Sequence, residues 1–155
     1  APRIGDWSVQ IDATPRGATP HTFTKGDLVV LMQMQGALID TTLGNNYGDG
    51  LGGNFKYGHI YDDDDFMAGF YEYIHVEEYN ATGLFFETQI QNNYAQDETA
   101  PVTGASVKKF QVITVPEYAD LVIPATSRLI CETWDGNTGG VLMPNSVTIG
   151  NNDDV

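Results

Sequence analysis

The chain of 155 residues carries 21 acidic and 7 basic side chains, a formal net charge of −14 at pH 7. This charge argues against binding to nucleic acid and to anionic membranes, since both require a basic protein surface. Hydrophobic residues make up 41% of the chain, enough for a folded core. No apolar run approaches the roughly 20 residues of a membrane-spanning helix, so no membrane insertion is expected. The single cysteine, Cys131, excludes an intramolecular disulfide.

Short runs of alternating apolar and polar residues, rich in β-branched and aromatic side chains, recur along the chain and predict β-strands. The longer runs are residues 7–12, 27–35, 69–78, 84–90 and 107–115, and shorter ones follow at 121–123, 129–133, 140–143 and 147–149. No stretch repeats apolar residues with a helical period over three turns. We therefore predict an all-β fold, either a β-sandwich or a small barrel. In the alternative, the barrel is followed by short β-solenoid-like turns at the end of the chain.

The domain organisation expected is an N-terminal extension or added strand over residues 1–17, followed by a β domain over residues 18–155. A Gly- and Asp-rich insertion at residues 40–68 interrupts that domain, and a loop of about 30 residues is unusual in a compact fold. Carboxylate and carbonyl oxygens are the ligands that Ca²⁺ prefers. The insertion thus predicts a calcium site, or alternatively a solvated acidic loop, at Asp49, Asn54, Asp62, Asp63, Asp64 and Asp65.

A glycan site is the second prediction, in the turn that begins at Trp134. The indole ring would stack on a sugar, and Asp135 and Asn137 would bind its hydroxyl groups. The tyrosine-rich stretch Phe70–Tyr73 could add a second platform. The alternative is an ordinary turn with an aromatic anchor, because Asp-Gly and Gly-Gly are common turn pairs.

Assembly contacts are predicted at two places. The segment around Trp7, Val9 and Ile11 alternates like a strand, and it could add to a neighbouring acidic subunit. Gln33 and Gln35 alternate with methionines, which places both amides on one face of a strand. They would form a polar ladder at a subunit contact or, in the alternative, hydrogen-bond a neighbouring loop.

No catalytic group stands out. The three histidines are far apart in sequence, which gives no zinc-binding spacing. Cys131 lies in a strand-like run, where a small buried apolar role is expected, because a reactive thiol needs a basic neighbour or a helix N-terminus to lower its pKa. Acidic pairs suitable for glycoside hydrolysis are easy to find in so acidic a chain, so they indicate little. We expect a protein that is not an enzyme.

Four blocks, in this order, resemble the N-terminal module of large adhesin-like surface proteins of Bacteroidetes. They are Lys25–Ala37 (KGDLVVLMQMQGA) with Ile39–Thr42 (IDTT), Gly69–Val76 (GFYEYIHV), Lys109–Tyr118 (KFQVITVPEY) and Trp134–Leu142 (WDGNTGGVL). Together they extend the resemblance over most of the chain.

The resemblance implies an extracellular, cell-surface protein exported by the type IX route and linked to gliding, attachment or appendages. In that setting Asp40-Thr41-Thr42 is similar to an O-glycosylation pattern, with Thr41 as the modified residue. We expect a structural module that attaches cells or assembles a fibre, through self-association or contact with other surface proteins. The alternative is a carbohydrate-binding module with Ca²⁺-supported loops, for which glycans would be the partner.

Overall fold

The computed structural model describes residues 1–11, 22–39, 60–61, 67–97, 107–119, 121–124 and 126–144. These residues contain seven β-strands and no helix, which confirms the predicted all-β class. The strands are β1 (Ser8–Val9), β2 (Leu28–Gln35), β3 (Leu38–Ile39), β4 (Ile60–Tyr61), β5 (Tyr71–Asn80), β6 (Gly83–Phe86) and β7 (Lys109–Thr114).

Five of the strands form one antiparallel sheet in the order β1-β6-β5-β2-β7, and β3 pairs with β4 separately. The larger sheet is open, with β1 and β7 at its edges, as in one layer of a sandwich. Strands β5 and β6 form a hairpin, in whose turn Asn80 Oδ1 accepts hydrogen bonds from the backbone N–H (2.8 Å) and the hydroxyl (2.6 Å) of Thr82.

One face of the sheet carries the hydrophobic core. The period of two along each strand puts Val29 and Leu31 on the same side of β2, and the antiparallel register places Val29 beside Ile74 of β5. The buried core consists of Val9, Val29, Leu31, Ile74, Val76, Leu84, Phe86, Ile90 and Tyr94. Since Ile90 and Tyr94 follow β6, the segment after the hairpin folds back over this face.

The N-terminal segment holds that covering segment in place through backbone hydrogen bonds. Gly5 N–H donates to the Ile90 carbonyl and Ile90 N–H donates to the Asp6 carbonyl, both at 2.9 Å. Tyr94 N–H donates to the Pro2 carbonyl at 3.0 Å. The first residues of the chain are therefore an integral part of the core layer.

The strand predictions fail after β7. Residues 121–123, 129–133 and 140–143 were expected to be strands, and none of them is one in the structure. Their side chains suit a strand, but strand formation also needs a neighbouring backbone, which a sequence pattern cannot supply. The predicted run at 147–149 lies outside the described residues. The structure also shortens the first predicted strand to the two residues of β1.

Candidate functional site

The candidate functional site has two parts, an exposed apolar segment and the open edge of β7. We define the apolar segment as residues 121–124 and 126–131. Val122 is 81% exposed and Ile130 is 72% exposed, and Ile123 and Leu129 are exposed as well. These are two pairs of neighbouring exposed apolar side chains, a feature that contact surfaces share.

The backbone of the second half of the apolar segment is also without partners. Within the described part of the chain, no backbone hydrogen bond involves Arg128, Leu129, Ile130 or Cys131. The first half ends in a turn in which Ser127 N–H donates to the Pro124 carbonyl at 2.8 Å. Residues 128–131 therefore combine strand-like side chains with backbone N–H and C=O groups that have no backbone partner in the part of the chain that the structure describes.

Among the described residues, the outer edge of β7 has hydrogen-bond partners at its beginning. Lys108 exchanges two backbone hydrogen bonds with Asp97 (2.8 and 3.2 Å), and Phe110 N–H donates to Gln96 Oε1 at 3.3 Å. Val115 N–H donates inward to the Leu28 carbonyl of the β2 side at 2.9 Å.

The alternation along an antiparallel strand fixes the direction of the remaining groups. Like Val115, residues Ile113 and Gln111 direct their N–H and C=O groups toward β2. Val112 and Thr114 direct theirs outward, where the described residues supply no hydrogen-bond partner. As far as the described ranges go, two consecutive outward-facing positions of β7 are open to an added strand.

The sheet face opposite the core carries a row of aromatic side chains. Tyr71, Tyr73 and His75 alternate along β5, so they share this face, and all three are exposed. The rings of Tyr71 and Tyr73 meet edge to face, with centroids 6.1 Å apart. His75 is tied to the loop before β2 by a 3.2 Å contact between its Nδ1 and the Gly26 carbonyl. We call these three side chains the aromatic row.

Gln33 is only 1% exposed, and the pairing of β2 with β7 shifts register between Gln33 and Gln35, which interrupts the alternation on which the predicted polar ladder depends. Gln33 Nε2 donates to the carbonyls of Gln35 (2.7 Å) and Ala95 (2.9 Å), and its Oε1 accepts from Ala95 N–H (2.9 Å). The Gln33 amide therefore follows the alternative interpretation, in which it binds a neighbouring loop. A buried, fully bonded amide is not available to a second subunit.

Gln111 makes the same kind of pair on the other side of the sheet. Its Nε2 donates to the Gly139 carbonyl at 3.0 Å, and its Oε1 accepts from Gly139 N–H at 3.1 Å. Lys109 Nζ donates to Asn137 Oδ1 of the same turn. Both contacts fasten the turn at residues 134–140 to β7.

The residues of the predicted glycan site lie together in this fastened turn. Asp135 Oδ1 accepts hydrogen bonds from the N–H groups of Asn137 (2.7 Å) and Thr138 (2.8 Å), which shapes the turn. Trp134 is half-buried, and a Cβ atom at Gly140 would lie 3.2 Å from that of Trp134. The polar side chains of the turn thus have structural partners, and a role in sugar binding stays a prediction.

Glu72 organises the segment that covers the core. Its carboxylate accepts hydrogen bonds from the N–H groups of Gln91 (2.8 Å) and Asn92 (3.1 Å) and from the Tyr94 hydroxyl (3.0 Å). Burial, together with the hydrogen bond to Glu72, raises the pKa of the Tyr94 phenol. No feature of the sequence distinguishes Glu72 from the other acids, so sequence reasoning missed it.

The residues of the predicted N-terminal assembly strand belong to the chain's own sheet. β1 pairs with β6, Val9 is buried, Ile11 packs against the core, and Trp7 is exposed. Cys131 is exposed too.

The predicted calcium ligands Asp49, Asn54, Asp62, Asp63, Asp64 and Asp65 lie outside the described residues, as does Thr41. Among the residues that the structure does describe, no three metal-ligating side chains gather into a cluster.

Comparison with protein-family models, with curated proteins and with solved structures finds no match for this chain. Over the described ranges, no helix has the length and apolar character needed to cross a membrane.

Proposed function

We propose that this chain is a non-catalytic, extracellular structural module that assembles a cell-surface fibre or appendage, or attaches the cell to other surfaces. The observation that carries this proposal is the apolar segment, which exposes Val122 and Ile130 almost fully. Burying one such side chain against a partner contributes about 1.5–3 kcal/mol. Association through this segment would therefore gain free energy without any reacting group.

The chain's charge is consistent with association through apolar contacts and strand pairing. A net charge of −14 disfavours loose contact between copies by repulsion. A contact with directional hydrogen bonds and a buried apolar centre would offset this repulsion. Self-association should accordingly strengthen as salt screens the repulsion.

The experiment is sedimentation velocity of the purified chain over a range of concentrations, with electron microscopy of the same samples. Ile130→Ser should weaken self-association by roughly tenfold or more, the equivalent of about 1.4 kcal/mol. The matched control is Ile4→Ser, the same change at a side chain that is 62% exposed at the other end of the chain. Equal effects of the two substitutions would contradict a specific role for the apolar segment.

The second candidate function is carbohydrate binding, and the aromatic row is the observation that favours it. Tyr71 and Tyr73 are about half exposed and their rings meet edge to face at 87°, so a sugar ring could stack on one tyrosine while a phenol hydroxyl binds its hydroxyl groups. The test is a glycan array on the monomeric chain, followed by Tyr73→Ala and Trp134→Ala. Tyr118→Ala, at an exposed tyrosine outside the row, is the control. Loss of sugar binding on Tyr73→Ala would favour this function over assembly.

A further inference from the structure

The open edge of β7 and residues 128–131 are complementary in hydrogen bonding, and the segment ends at Glu132, whose carbonyl already accepts from Gly140 N–H at 2.8 Å. β7 presents outward N–H and C=O groups at Val112 and Thr114, and Arg128 and Ile130 have N–H and C=O groups without partners among the described residues. The two open positions of β7 are two residues apart, and so are Arg128 and Ile130. In a pair of antiparallel strands, every second residue exchanges two backbone hydrogen bonds with the residue opposite it. The spacing of two residues on both segments therefore allows two such pairs.

Charge selects the antiparallel direction for this pairing. β7 begins beside the basic pair Lys108 and Lys109, and the chain reaches Glu117 three residues after its end. The segment 128–132 begins with Arg128 and ends with Glu132. An antiparallel arrangement puts Glu132 toward the lysines and Arg128 toward Glu117, whereas a parallel one would bring like charges together.

The side chains agree with the same register. If Ile130 pairs with Val112, the two side chains lie on the same face of the sheet. That face is the core face, where Val112 is half-buried against the core and is paired with Leu31 of β2. Ile130, which is 72% exposed in the single chain, would become covered beside Val112.

We propose that residues 128–132 of one copy add as an antiparallel strand to the β7 edge of a second copy, with Ile130 opposite Val112 and Arg128 opposite Thr114. This inference rests on the proposed assembly function and names its partner as a second copy of this chain. The donated strand and the accepting edge are different surfaces. The contact is therefore heterologous, and it propagates head to tail into a fibre unless a ring closes.

The test uses two proline variants of the full chain. Thr114→Pro removes an outward N–H from the accepting edge and leaves the inward bonds of β7 to β2 in place, a position at which a sheet tolerates proline. Ile130→Pro removes an N–H from the donated strand, outside the sheet. Thr114→Val and Ile130→Val are the matched controls, because both keep the N–H. Circular dichroism verifies that each variant is folded.

Each proline variant alone should sediment as a monomer, while both valine controls assemble like the unchanged chain. An equimolar mixture of the proline variants should form dimers and nothing larger, because Thr114→Pro can still donate and Ile130→Pro can still accept. Added to the unchanged chain, Ile130→Pro should shorten the fibres in proportion to its share. This last measurement decides the question even if Thr114→Pro does not fold.

Two results would contradict the proposed addition of residues 128–132 to the β7 edge without contradicting the proposed assembly function. One is Ile130→Pro assembling as well as Ile130→Val, and the other is a mixture of folded proline variants that stays monomeric while the unchanged chain assembles. If the unchanged chain remains monomeric at every concentration, both the proposed assembly function and the proposed strand addition are wrong.

Discussion

Gln33 holds Ala95 as a neighbouring strand would, because its side-chain amide exchanges two hydrogen bonds of 2.9 Å with the N–H and C=O of Ala95. A glutamine side chain carries the same donor and acceptor as a peptide group. The segment that covers the core thus has backbone partners although it is not a strand. Gln111 repeats the arrangement with Gly139 on the opposite face.

Gln33→Glu should destabilise the fold by about 1–3 kcal/mol, the usual effect of leaving buried polar groups unpaired. A carboxylate accepts but does not donate, so the carbonyls of Gln35 and Ala95 would lose their donor and face a buried negative charge. Urea denaturation at pH 7 measures the change. Gln89→Glu, the same substitution at an exposed glutamine, should change the stability by no more than about 0.5 kcal/mol.

Gln111→Ala should loosen the turn at residues 134–140 and leave the sheet largely intact. The Gly139 amide loses its acceptor, so its hydrogen exchange should accelerate by about tenfold for a lost bond of about 1–1.5 kcal/mol. Exchange measured by NMR reports on this amide and on that of Leu31 in the sheet core. Equal acceleration at both amides would show global destabilisation instead.

Gly83→Ala should displace β1 from the sheet. Gly83 has φ of +144°, and an added Cβ would lie 2.6 Å from the Val9 carbonyl oxygen, a backbone atom that can move only with its strand. We expect a loss of about 1–3 kcal/mol from this overpacking, in addition to backbone strain. Gly26→Ala, at φ of +89° with no atom within 4 Å of the added Cβ, isolates the strain alone. Thermal unfolding of both variants separates the two effects.

The stability of the fold should fall as the pH rises above about 10, the ordinary pKa of tyrosine. Burial raises the pKa of Tyr94 in the folded state, so the unfolded chain loses this proton first. The contribution of Tyr94 is therefore complete below pH 10 and decreases above it, by at most about 1.4 kcal/mol per pH unit for one proton. The hydrogen bond from Lys25 to Glu77 raises the pKa of Lys25 and acts in the same direction.

Tyr94→Phe tests this dependence because it keeps the ring and removes the titrating group. Denaturation at pH 8 and at pH 11 should show a smaller difference for the variant than for the unchanged chain. Tyr118→Phe, at an exposed tyrosine, is the matched control. An identical loss of stability in the unchanged chain and in Tyr94→Phe would show that another group governs the alkaline transition.

The central strands of the sheet could be predicted from the sequence almost at their observed bounds. Leu28–Gln35 lies in the longest apolar run of the chain, which is too short for a helix, and Tyr71–Asn80 lies in a run of alternating side chains. Residues 129–133 have equally suitable side chains and form no strand within the chain. The difference lies in the neighbouring backbone, and sequence separation alone does not reveal which segments become neighbours.

The candidate site was only partly predictable for the same reason. The polar pattern of Gln33 indicated a contact, and the structure shows that its partner is Ala95, 62 residues later. Glu72 could not be distinguished among many acids, because its role depends on three donors that only the fold brings to it. The resemblance to surface adhesins, its type IX export and Thr41 as a modified residue stay predictions.

The strand order has a consequence for biosynthesis. β2 lies at the centre of the sheet, yet both of its neighbours follow much later in the chain, β5 at residues 71–80 and β7 at residues 109–114. Val29, Val30 and Leu31 thus leave the ribosome about 80 residues before the last flanking strand is synthesised, and such non-local pairing is slow. In this interval a nascent chain exposes an apolar run, so we expect a chaperone that holds the unfinished chain to raise the yield of folded protein.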